Sequence, residues 1–332
     1  MEFDLIARIR ARAATRGDVV LGIGDDAAIV AVPAGMQLAV AMDTLNAGVH
    51  FPHGTHASDI GWKALAVNLS DLAAMGAQPA WCTLSLSLPD PDAAWIDAFL
   101  DGFLALAEQH DVALIGGDTT HGPLSVCVTM HGFIEPHRAL RRDGARVGDD
   151  VWVSGTLGDA AAGLARVLAV GRTHGAGMPA DAAVDRRASL VGRLDRPTPR
   201  VALGRALTAH AHACVDISDG LLADVGHIAR ASGVRISIDV DALPASDALR
   251  LHADDVVRRE LQATGGDDYE LCFTAPASAR HALNAASSAS RTRITRIGTV
   301  HAGEGVHAVD GKGQPWHPAR RGYEHFDPSA RP

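Results

Sequence analysis

Lysine is almost absent from this sequence of 332 residues, since it occurs only at Lys63 and Lys312 and arginine supplies the rest of the positive side-chain charge. Acidic residues outnumber basic ones, and the formal net charge is −9. Affinity for a nucleic-acid backbone depends on contacts from Lys and Arg to phosphate, so this balance argues against a nucleic-acid partner.

Long apolar runs are also missing, because no stretch approaches the roughly 20 residues that cross a bilayer. The N-terminal segment MEFDLIARIRARAATRGD has no apolar core or cleavage site of an export signal. The cysteines form no CxxC pair, which favours buried, reduced thiols over a disulfide or a zinc site. They are Cys82, Cys127, Cys214 and Cys272. The sequence therefore predicts a cytoplasmic protein with no membrane partner.

Three common nucleotide-binding signatures are lacking as well. The nearest approach to GxxxxGK[ST] is at Lys312, where the spacing is wrong and no hydroxyl residue follows. GIGDDA lacks the third glycine of a dinucleotide fingerprint, and the HRD and DFG triplets of protein kinases do not occur. If this protein uses ATP, it does so on a different fold.

The length and patterning predict two domains with α/β character. A chain of 332 residues with 47% hydrophobic and 21% charged residues fits two globular domains. The polar stretch 141–150 is the predicted boundary, giving domains 1–142 and 143–332. Periodicity predicts strands over 36–43, 81–88, 112–117, 124–134, 151–155, 213–217, 235–240 and 269–275. Helices are predicted over 58–75, 92–109, from 155 to about 169 and from Leu221 to at least Ala229. A surface loop is predicted over 171–188 and an irregular tail from His301.

Carboxylates recur where predicted strands end or glycine turns begin. In open α/β sheets ligands collect beyond the carboxyl ends of strands, and Mg²⁺ prefers oxygen ligands. Turn and helix-cap chemistry is the alternative explanation for each single residue, but the repetition of the pattern favours a metal site. The residues are Asp25, Asp26, Asp43, Asp118, Asp216, Asp219, Asp267 and Asp268.

Asp71 is the sharpest individual candidate in this set. It lies on the predicted helix 58–75, three residues after Asn68, and the neighbouring faces are apolar. A buried lone carboxylate is costly unless it is paired or binds a metal. We therefore expect Asp71 to bind a metal ion, and pairing with an arginine is the alternative.

Ser218 and Asp219 precede the helix that follows the strand ACVDI. Either side chain could cap this helix. The free backbone N–H groups and the positive dipole end of the helix also make this position a natural phosphate site. Both roles can hold together.

A series of motifs along nearly the whole chain resembles the thiamine-monophosphate kinase family. They occur in the order GIGDDAA, AMDTLNAGVHF, KALAVNLSDLAAMGAQP, LIGGDTT, DISDG, GGDDYEL and GYEHF. That family is related to aminoimidazole ribonucleotide synthetase, selenophosphate synthetase and the hydrogenase maturation protein HypE. The resemblance extends from about residue 3 to 326.

The resemblance implies a mixed α/β (α+β) fold of two domains, with an N-terminal sheet that forms a dimeric barrel and a C-terminal α/β sandwich. It implies a homodimer that binds ATP, several Mg²⁺ ions and thiamine monophosphate. It also implies direct in-line transfer without a catalytic acid or base, since the acceptor phosphate is already anionic. By position, the metal ligands would be Asp26, Asp43, Asp71, Asp118, Asp216 and Asp219. ATP contacts would be Gly117, Asp118, Arg142 and Ser218, and substrate contacts would be His50, Asp267 and Tyr323.

Three positions depart from the family pattern, and two other functions compete. Met42 stands where a hydroxyl residue is frequent, Asp267 where Glu is usual, and Tyr323 where another aromatic can occur. One alternative is another ATP-dependent enzyme of the superfamily. Against it, no cysteine precedes Cys82 and the chain ends in SARP rather than in a cysteine-bearing tail. The other is a non-catalytic protein that binds Mg²⁺ and ATP.

Overall fold

The computed structural model describes residues 2–173, 190–319 and 322–323. The chain divides into two compact units. The first comprises Met1–Leu72 and Ala77–Ala139, and the second comprises Ala73–Gly76 and Leu140–Pro332. Each contains helices and a sheet, so the mixed α/β fold with two domains is confirmed.

The first unit is built on a four-stranded sheet. A two-stranded ribbon of β1 (Val19–Leu21) and β2 (Ile29–Val30) precedes it. The sheet has the order β3-β6-β4-β5, with β4 and β5 parallel and the other neighbours antiparallel. Its strands are β3 (Gln37–Asn46), β4 (Gln78–Leu88), β5 (Ala113–His121) and β6 (Ser125–Ile134).

Three helices belong to this part of the chain: α1 (Glu2–Arg12), α2 (Ala57–Met75) and α3 (Ala93–Gln109). Helix α2 is rich in alanine and leucine, and residues 59–70 are buried without a break. Helix α3 begins at Asp92, whose side chain accepts hydrogen bonds from the backbone N–H groups of Ala94 and Trp95. The predicted helices α2 and α3 are confirmed to within one residue at each end.

The second unit contains a six-stranded sheet of order β12-β9-β11-β7-β10-β8. All neighbours are antiparallel except β12 and β9. Alternating apolar residues from these strands pack into one buried cluster with the helix that follows β8. The strands are β7 (Asp149–Ser154), β8 (Ala213–Asp216), β9 (Arg235–Asp239), β10 (Leu271–Pro276), β11 (Ile294–His301) and β12 (Gly305–Val309).

Seven helices accompany this sheet among the described residues. Helix α7 begins immediately beyond the loop that leaves β8, which places its N-terminal turn beside the candidate site. It ends at Gly233, which adopts the left-handed conformation, φ 63°. The helices are α4 (Asp159–Thr173), α5 (Leu190–Asp195), α6 (Val201–Leu207), α7 (Leu221–Ser232), α8 (Asp247–His252), α9 (Asp255–Thr264) and α10 (Arg280–Ala289).

Some predicted boundaries differ from the structure. The tail from His301 is not wholly irregular, because β12 pairs in parallel with β9. Residues 171–173 continue α4 instead of starting a loop, and 174–188 lie outside the described residues. Strand β10 begins at Leu271 and not at Tyr269, because Tyr269 has a positive φ of 49° that interrupts extended backbone.

None of the helices in the described part of the chain combines the length and the apolar character needed to cross a membrane.

Candidate functional site

In the first unit, Asp43 is held against helix α2 through its backbone. Its N–H donates to Oδ1 of Asn68 at 3.1 Å, and Nδ2 of Asn68 donates to the carbonyl of Ala64 at 3.1 Å. Asn68 is fully buried. Because both ends of this amide are engaged, it fixes strand β3 relative to α2. The sequence placed Asn68 beside Asp71 but did not predict this contact with Asp43.

Asp71 is half-buried, so the expectation of a fully buried carboxylate was wrong. The physical reason is its position on α2. Met75 lies one turn further along the same face and is 38% exposed. The flanking residues Ser70 and Leu72 are buried, as the apolar pattern predicted. Asp71 therefore lies at the margin of the core, where solvent or a ligand can reach its carboxylate.

Asp25 and Asp26 lie in an exposed turn after Gly24. The N–H of Asp26 donates to Oδ1 of Asp25 at 2.8 Å. This local hydrogen bond is typical of turn chemistry, and it leaves the Asp26 side chain on the surface.

Gly117 and Asp118 are exposed residues inside β5, which continues to His121, and Asp43 similarly lies inside β3. Neither carboxylate therefore ends its strand, contrary to the sequence-based prediction. Gly117 has φ 149°, and a Cβ there would meet the carbonyl oxygen of Leu84, so a larger residue does not fit. Strands β3 and β5 are the opposite edges of the sheet. The structure thus brings Asp43 to Asn68 and not to Asp118.

An apolar pocket of about 90 Å³ adjoins Gly117 and Asp118. Isoleucines from α1 and from the loop after β1 form part of its wall, and leucines from β4 and β5 form the rest. Asp118 and Thr119 are the lining residues with polar side chains. The lining residues are Ile6, Ile9, Ile23, Leu84, Leu114, Gly116, Gly117, Asp118 and Thr119.

His50 is anchored on three sides. The ring Nδ1 of His50 accepts from the backbone N–H of Asn46 at 2.9 Å. The backbone N–H of His50 donates to the carbonyl of Asn46 at 3.0 Å. The buried Lys63 donates from Nζ to the carbonyl of His50 at 3.0 Å. Because Nδ1 is an acceptor, the proton of the neutral imidazole is on Nε2, and the ring presents a hydrogen-bond donor at that atom.

In the second unit, Asp216 ends β8 as predicted and is buried, while Ser218 and Asp219 are half-buried. Three amide groups that precede Leu221, the first helical residue, are engaged, while a phosphate site at the N–H groups of the first helical turn stays a prediction. The N–H groups of Ser218, Asp219 and Gly220 all donate to Oδ2 of Asp224, at 3.0, 3.1 and 3.1 Å. Neither Ser218 nor Asp219 caps α7, since Gly220 is its N-cap.

The carbonyl groups of the same loop bind other site segments. Asp267 donates its N–H to the carbonyl of Ser218 at 2.9 Å, and Tyr323 donates its N–H to the carbonyl of Asp219 at 3.0 Å. Asp267 has a positive φ of 67°, and its Oδ1 accepts from the hydroxyl of Tyr269 at 3.1 Å. The structure therefore joins the predicted residues Ser218, Asp219, Asp267 and Tyr323 into one hydrogen-bonded cluster.

The electrostatics of this cluster suit a cation. Burial, followed by the charges of Asp216 and Asp219, raises the pKa of Asp224 to about 7. Burial, followed by the charges of Arg142 and Arg230, lowers the pKa of His227, while Asp219 opposes this shift. Arg142 itself is exposed on the surface.

No three His, Cys, Asp or Glu side chains within residues 2–173, 190–319 and 322–323 form a ready-made metal cage. Mg²⁺ normally keeps several waters and uses one or two carboxylates together with substrate phosphates. The carboxylate oxygens of Asp216 and Asp219, which share a poorly solvated region with Asp224, fit such partial coordination.

A buried ion cluster supports the segment that carries Asp267. Glu270 is fully buried and pairs with both Arg193 and Arg200. Burial alone would raise the pKa of Glu270, but attraction to Arg200 and Arg193, with hydrogen bonds from Arg200 and Ser154, outweighs it and leaves the pKa lowered. This cluster was not predicted, because its partners are 70 and 77 residues away in sequence.

Comparison with known proteins gives matches over most of the chain. Family models of the AIR synthase related protein match in two parts, the N-terminal domain over residues 24–134 and the C-terminal domain over 146–311. The chain is 47% identical over 330 residues to thiamine-monophosphate kinase of Salmonella typhimurium, covering 98% of each protein.

Solved structures agree with these matches. The crystal structure of thiamine-monophosphate kinase from Stenotrophomonas maltophilia K279a has a TM-score of 0.86 and 56% identity, covering 95% of this chain and 98% of that one. The complex of AaThiL with AMPPCP and TMP has a TM-score of 0.75 and 34% identity, covering 98% and 96%. A structure of E. coli HypE is 21% identical with a TM-score of 0.74, covering 100% and 99%, and shares the fold alone.

Proposed function

The chain belongs to the thiamine-monophosphate kinase family of AIR synthase related proteins, and we infer that it phosphorylates thiamine monophosphate with ATP. A phosphate oxygen of thiamine monophosphate forms a bond to the γ-phosphorus, and the bond from that phosphorus to the β,γ-bridging oxygen breaks. The products are thiamine diphosphate and ADP. The observation that carries this inference is the cluster around residues 216–220, which joins Ser218 and Asp219 to Asp267 and Tyr323.

The acceptor oxygen is anionic at neutral pH, so the chain does not have to remove a proton from it. The difficulty is instead the repulsion between two sets of phosphates. When bound, Mg²⁺ ions would supply charge neutralisation and hold the phosphates for in-line transfer. We propose that Asp26, Asp43, Asp71, Asp118, Asp216 and Asp219 hold these ions, and the shared region of Asp216 and Asp219 supports this proposal.

The nucleotide is assigned to Gly117, Asp118, Arg142 and Ser218. At Gly117 the absence of a Cβ lets β5 pass close to the backbone of Leu84, which fixes the position of the neighbouring Asp118. The apolar pocket beside Gly117 and Asp118 gives this part of the proposed nucleotide site an apolar wall. Arg142 is exposed and supplies positive charge for phosphate. This assignment agrees with a chain that has almost no lysine.

The thiamine phosphate is assigned to His50, Asp267 and Tyr323. The Nε2–H of His50 is a donor suited to a phosphate oxygen. Tyr323 is 46% exposed and offers an aromatic face to a flat heterocycle. The backbone N–H of Asp267 donates to the carbonyl of Ser218, and its carboxylate accepts from the hydroxyl of Tyr269. These two hydrogen bonds fix the direction of the carboxylate.

We further propose that the protein is a homodimer whose contact includes β3. This edge strand exposes three apolar side chains on alternate positions, namely Leu38, Val40 and Met42, which are 44%, 57% and 63% exposed. An apolar edge strand of ten residues is a template for pairing with another chain. Pairing of β3 with a second copy of the chain would join the sheets of the two copies. A joined sheet of this kind could form the dimeric barrel that the family resemblance implies.

These assignments give the two predicted domains different roles. Residues 1–142 would bind ATP and Mg²⁺ and form the dimer contact, and residues 143–332 would contribute phosphate and substrate contacts. We place the protein in the cytoplasm, because all four cysteines are free thiols and three of them are buried.

The test is an assay of ADP release with Mg²⁺ and ATP, in the presence and absence of thiamine monophosphate. Release that requires thiamine monophosphate and yields thiamine diphosphate supports the proposal. Asp71→Asn should keep the fold, judged by circular dichroism and thermal unfolding, and abolish turnover. Two outcomes would contradict the proposal. One is ADP release at the same rate with and without thiamine monophosphate, and the other is a protein that binds ATP but releases no ADP.

A further inference from the structure

We propose that Asp224 is a positioning residue of this reaction, which holds the backbone of residues 217–220 so that the nucleotide and thiamine contacts keep a fixed spacing. The inference rests on the proposed function for its kinetic meaning. Asp224 is not among the residues assigned to metal, ATP or substrate, and its side chain is only 3% exposed.

The first argument is the concentration of donors on one oxygen. Oδ2 of Asp224 accepts from three consecutive backbone N–H groups, those of Ser218, Asp219 and Gly220. An ordinary cap at the start of a helix accepts from one or two amides. The convergence of three amides on one atom fixes both the position and the curvature of the loop between β8 and α7.

The second argument is where the carbonyl groups of the loop point. The carbonyl of Ile217 accepts from the N–H of Tyr269 at 2.8 Å, and that of Ser218 accepts from Asp267 at 2.9 Å. The carbonyl of Asp219 accepts from Tyr323 at 3.0 Å. The N–H groups of Ser218, Asp219 and Gly220 thus go to Asp224, and that of Ile217 donates to the carbonyl of Glu270 at 2.8 Å. The carbonyl groups of the loop meanwhile hold both thiamine-side segments. A displacement of the loop would therefore move Asp267 and Tyr323 as well.

The third argument concerns the burial of this side chain. A polar group that is only 3% exposed is costly unless it is hydrogen-bonded. An apolar side chain at this position would avoid that cost but would leave three amides without their acceptor. The position therefore carries a buried acceptor oxygen, which indicates that it secures the geometry of the loop.

The experiment compares three variants. Asp224→Ala removes the acceptor, Asp224→Asn keeps one oxygen without the charge, and Asp254→Ala is the matched control. Asp254 caps α9 by accepting from two backbone amides but lies outside the proposed site. We measure KM for ATP and for thiamine monophosphate, kcat, thermal unfolding, and hydrogen exchange of peptides that contain 217–220 and 266–269.

We expect Asp224→Ala to raise both KM values about tenfold and to lower kcat, with faster exchange in both peptides. Asp224→Asn should recover most of the loss, because an amide oxygen still accepts from the loop. Asp254→Ala should lower the unfolding temperature and leave both KM values unchanged. If Asp224→Ala does not fold, Asp224→Glu, which displaces the acceptor by one methylene, gives the same comparison.

The proposal is overturned if Asp224→Ala lowers thermal stability as Asp254→Ala does and leaves both KM values and exchange at 266–269 unchanged. It is also overturned if Asp224→Asn is as impaired as Asp224→Ala, since charge and not position would then matter. Should the wild-type protein fail to phosphorylate thiamine monophosphate, the exchange of the two peptides still decides whether Asp224 links them.

Discussion

The backbone N–H of Tyr323 donates to the carbonyl of Asp219 at 3.0 Å, so the aromatic residue assigned to thiamine is attached directly to the loop assigned to metal and phosphate. The residue before it, Gly322, packs against the same carbonyl. A Cβ at Gly322 would lie 2.7 Å from the oxygen of Asp219 and 2.9 Å from the Cβ of Ala223. The close approach therefore requires glycine.

Gly322→Ala should push Tyr323 away from Asp219. We expect KM for thiamine monophosphate to rise about tenfold, equivalent to about 1.4 kcal/mol, while KM for ATP changes much less. Steady-state kinetics with each substrate varied in turn checks this. Gly226→Ala is the matched control, because a Cβ at Gly226 meets nothing within 4 Å. An equal rise in both KM values would contradict the prediction.

Much of the fold could be predicted from the sequence because periodicity is a local property. Helix α2 is apolar on most faces and is buried accordingly, and β3 alternates between its two faces. Strands β11 and β12 were both missed, and β12 has only five residues with glycine at its start. Its pairing with β9 is a long-range contact that a local pattern cannot reveal.

The candidate site was predicted only in part, for a related reason. The motifs identified Asp219 and Tyr323 as separate positions, but the hydrogen bond between them joins backbone atoms that every residue possesses. Asp224 was missed because its partners are amides and not side chains. Lys63 did offer a signal, as one of two lysines and within an apolar helix.

Glu270→Gln should destabilise the second unit strongly. Glu270 is the common partner of Arg193 and Arg200, whose side chains are 15% and 17% exposed. Removing one member of a buried ion group leaves the other charges without compensation and typically costs about 3–5 kcal/mol. Urea unfolding measures the loss.

The control for this prediction is Asp143→Asn, which removes an exposed pair with Arg141. Exposed pairs contribute little, so its unfolding midpoint should match the wild type. A Glu270→Gln protein as stable as Asp143→Asn would show that the cluster does not stabilise this unit.

Replacement of His50 should separate the roles of its two ring nitrogens. A Gln side chain can place an amide N–H near the position of Nε2, whereas Asn can only replace the acceptor near Nδ1, which binds Asn46. We expect His50→Asn to raise KM for thiamine monophosphate about tenfold more than His50→Gln does. Isothermal titration with thiamine monophosphate checks the same order. The reverse order would assign substrate binding to Nδ1.

Stability should fall as the solution becomes acidic, because burial lowers the pKa of His110 and of His131. A histidine whose pKa is lower in the folded state binds its proton first in the unfolded state. Its contribution is therefore fully present above the ordinary pKa of about 6.5 and is lost as pH falls through the lowered value. His131 also has a buried Nδ1 for which the described residues offer no hydrogen-bond partner.

His131→Leu should consequently show a smaller loss of stability than the wild type between pH 8 and pH 5. Urea unfolding midpoints at a series of pH values measure this difference, and the exposed His252→Gln provides the control. The variant is compared with the wild type at each pH, so titration of other groups cancels. If the two pH profiles were parallel, His131 would remain equally easy to protonate in the folded and unfolded chains, and burial would not govern its charge.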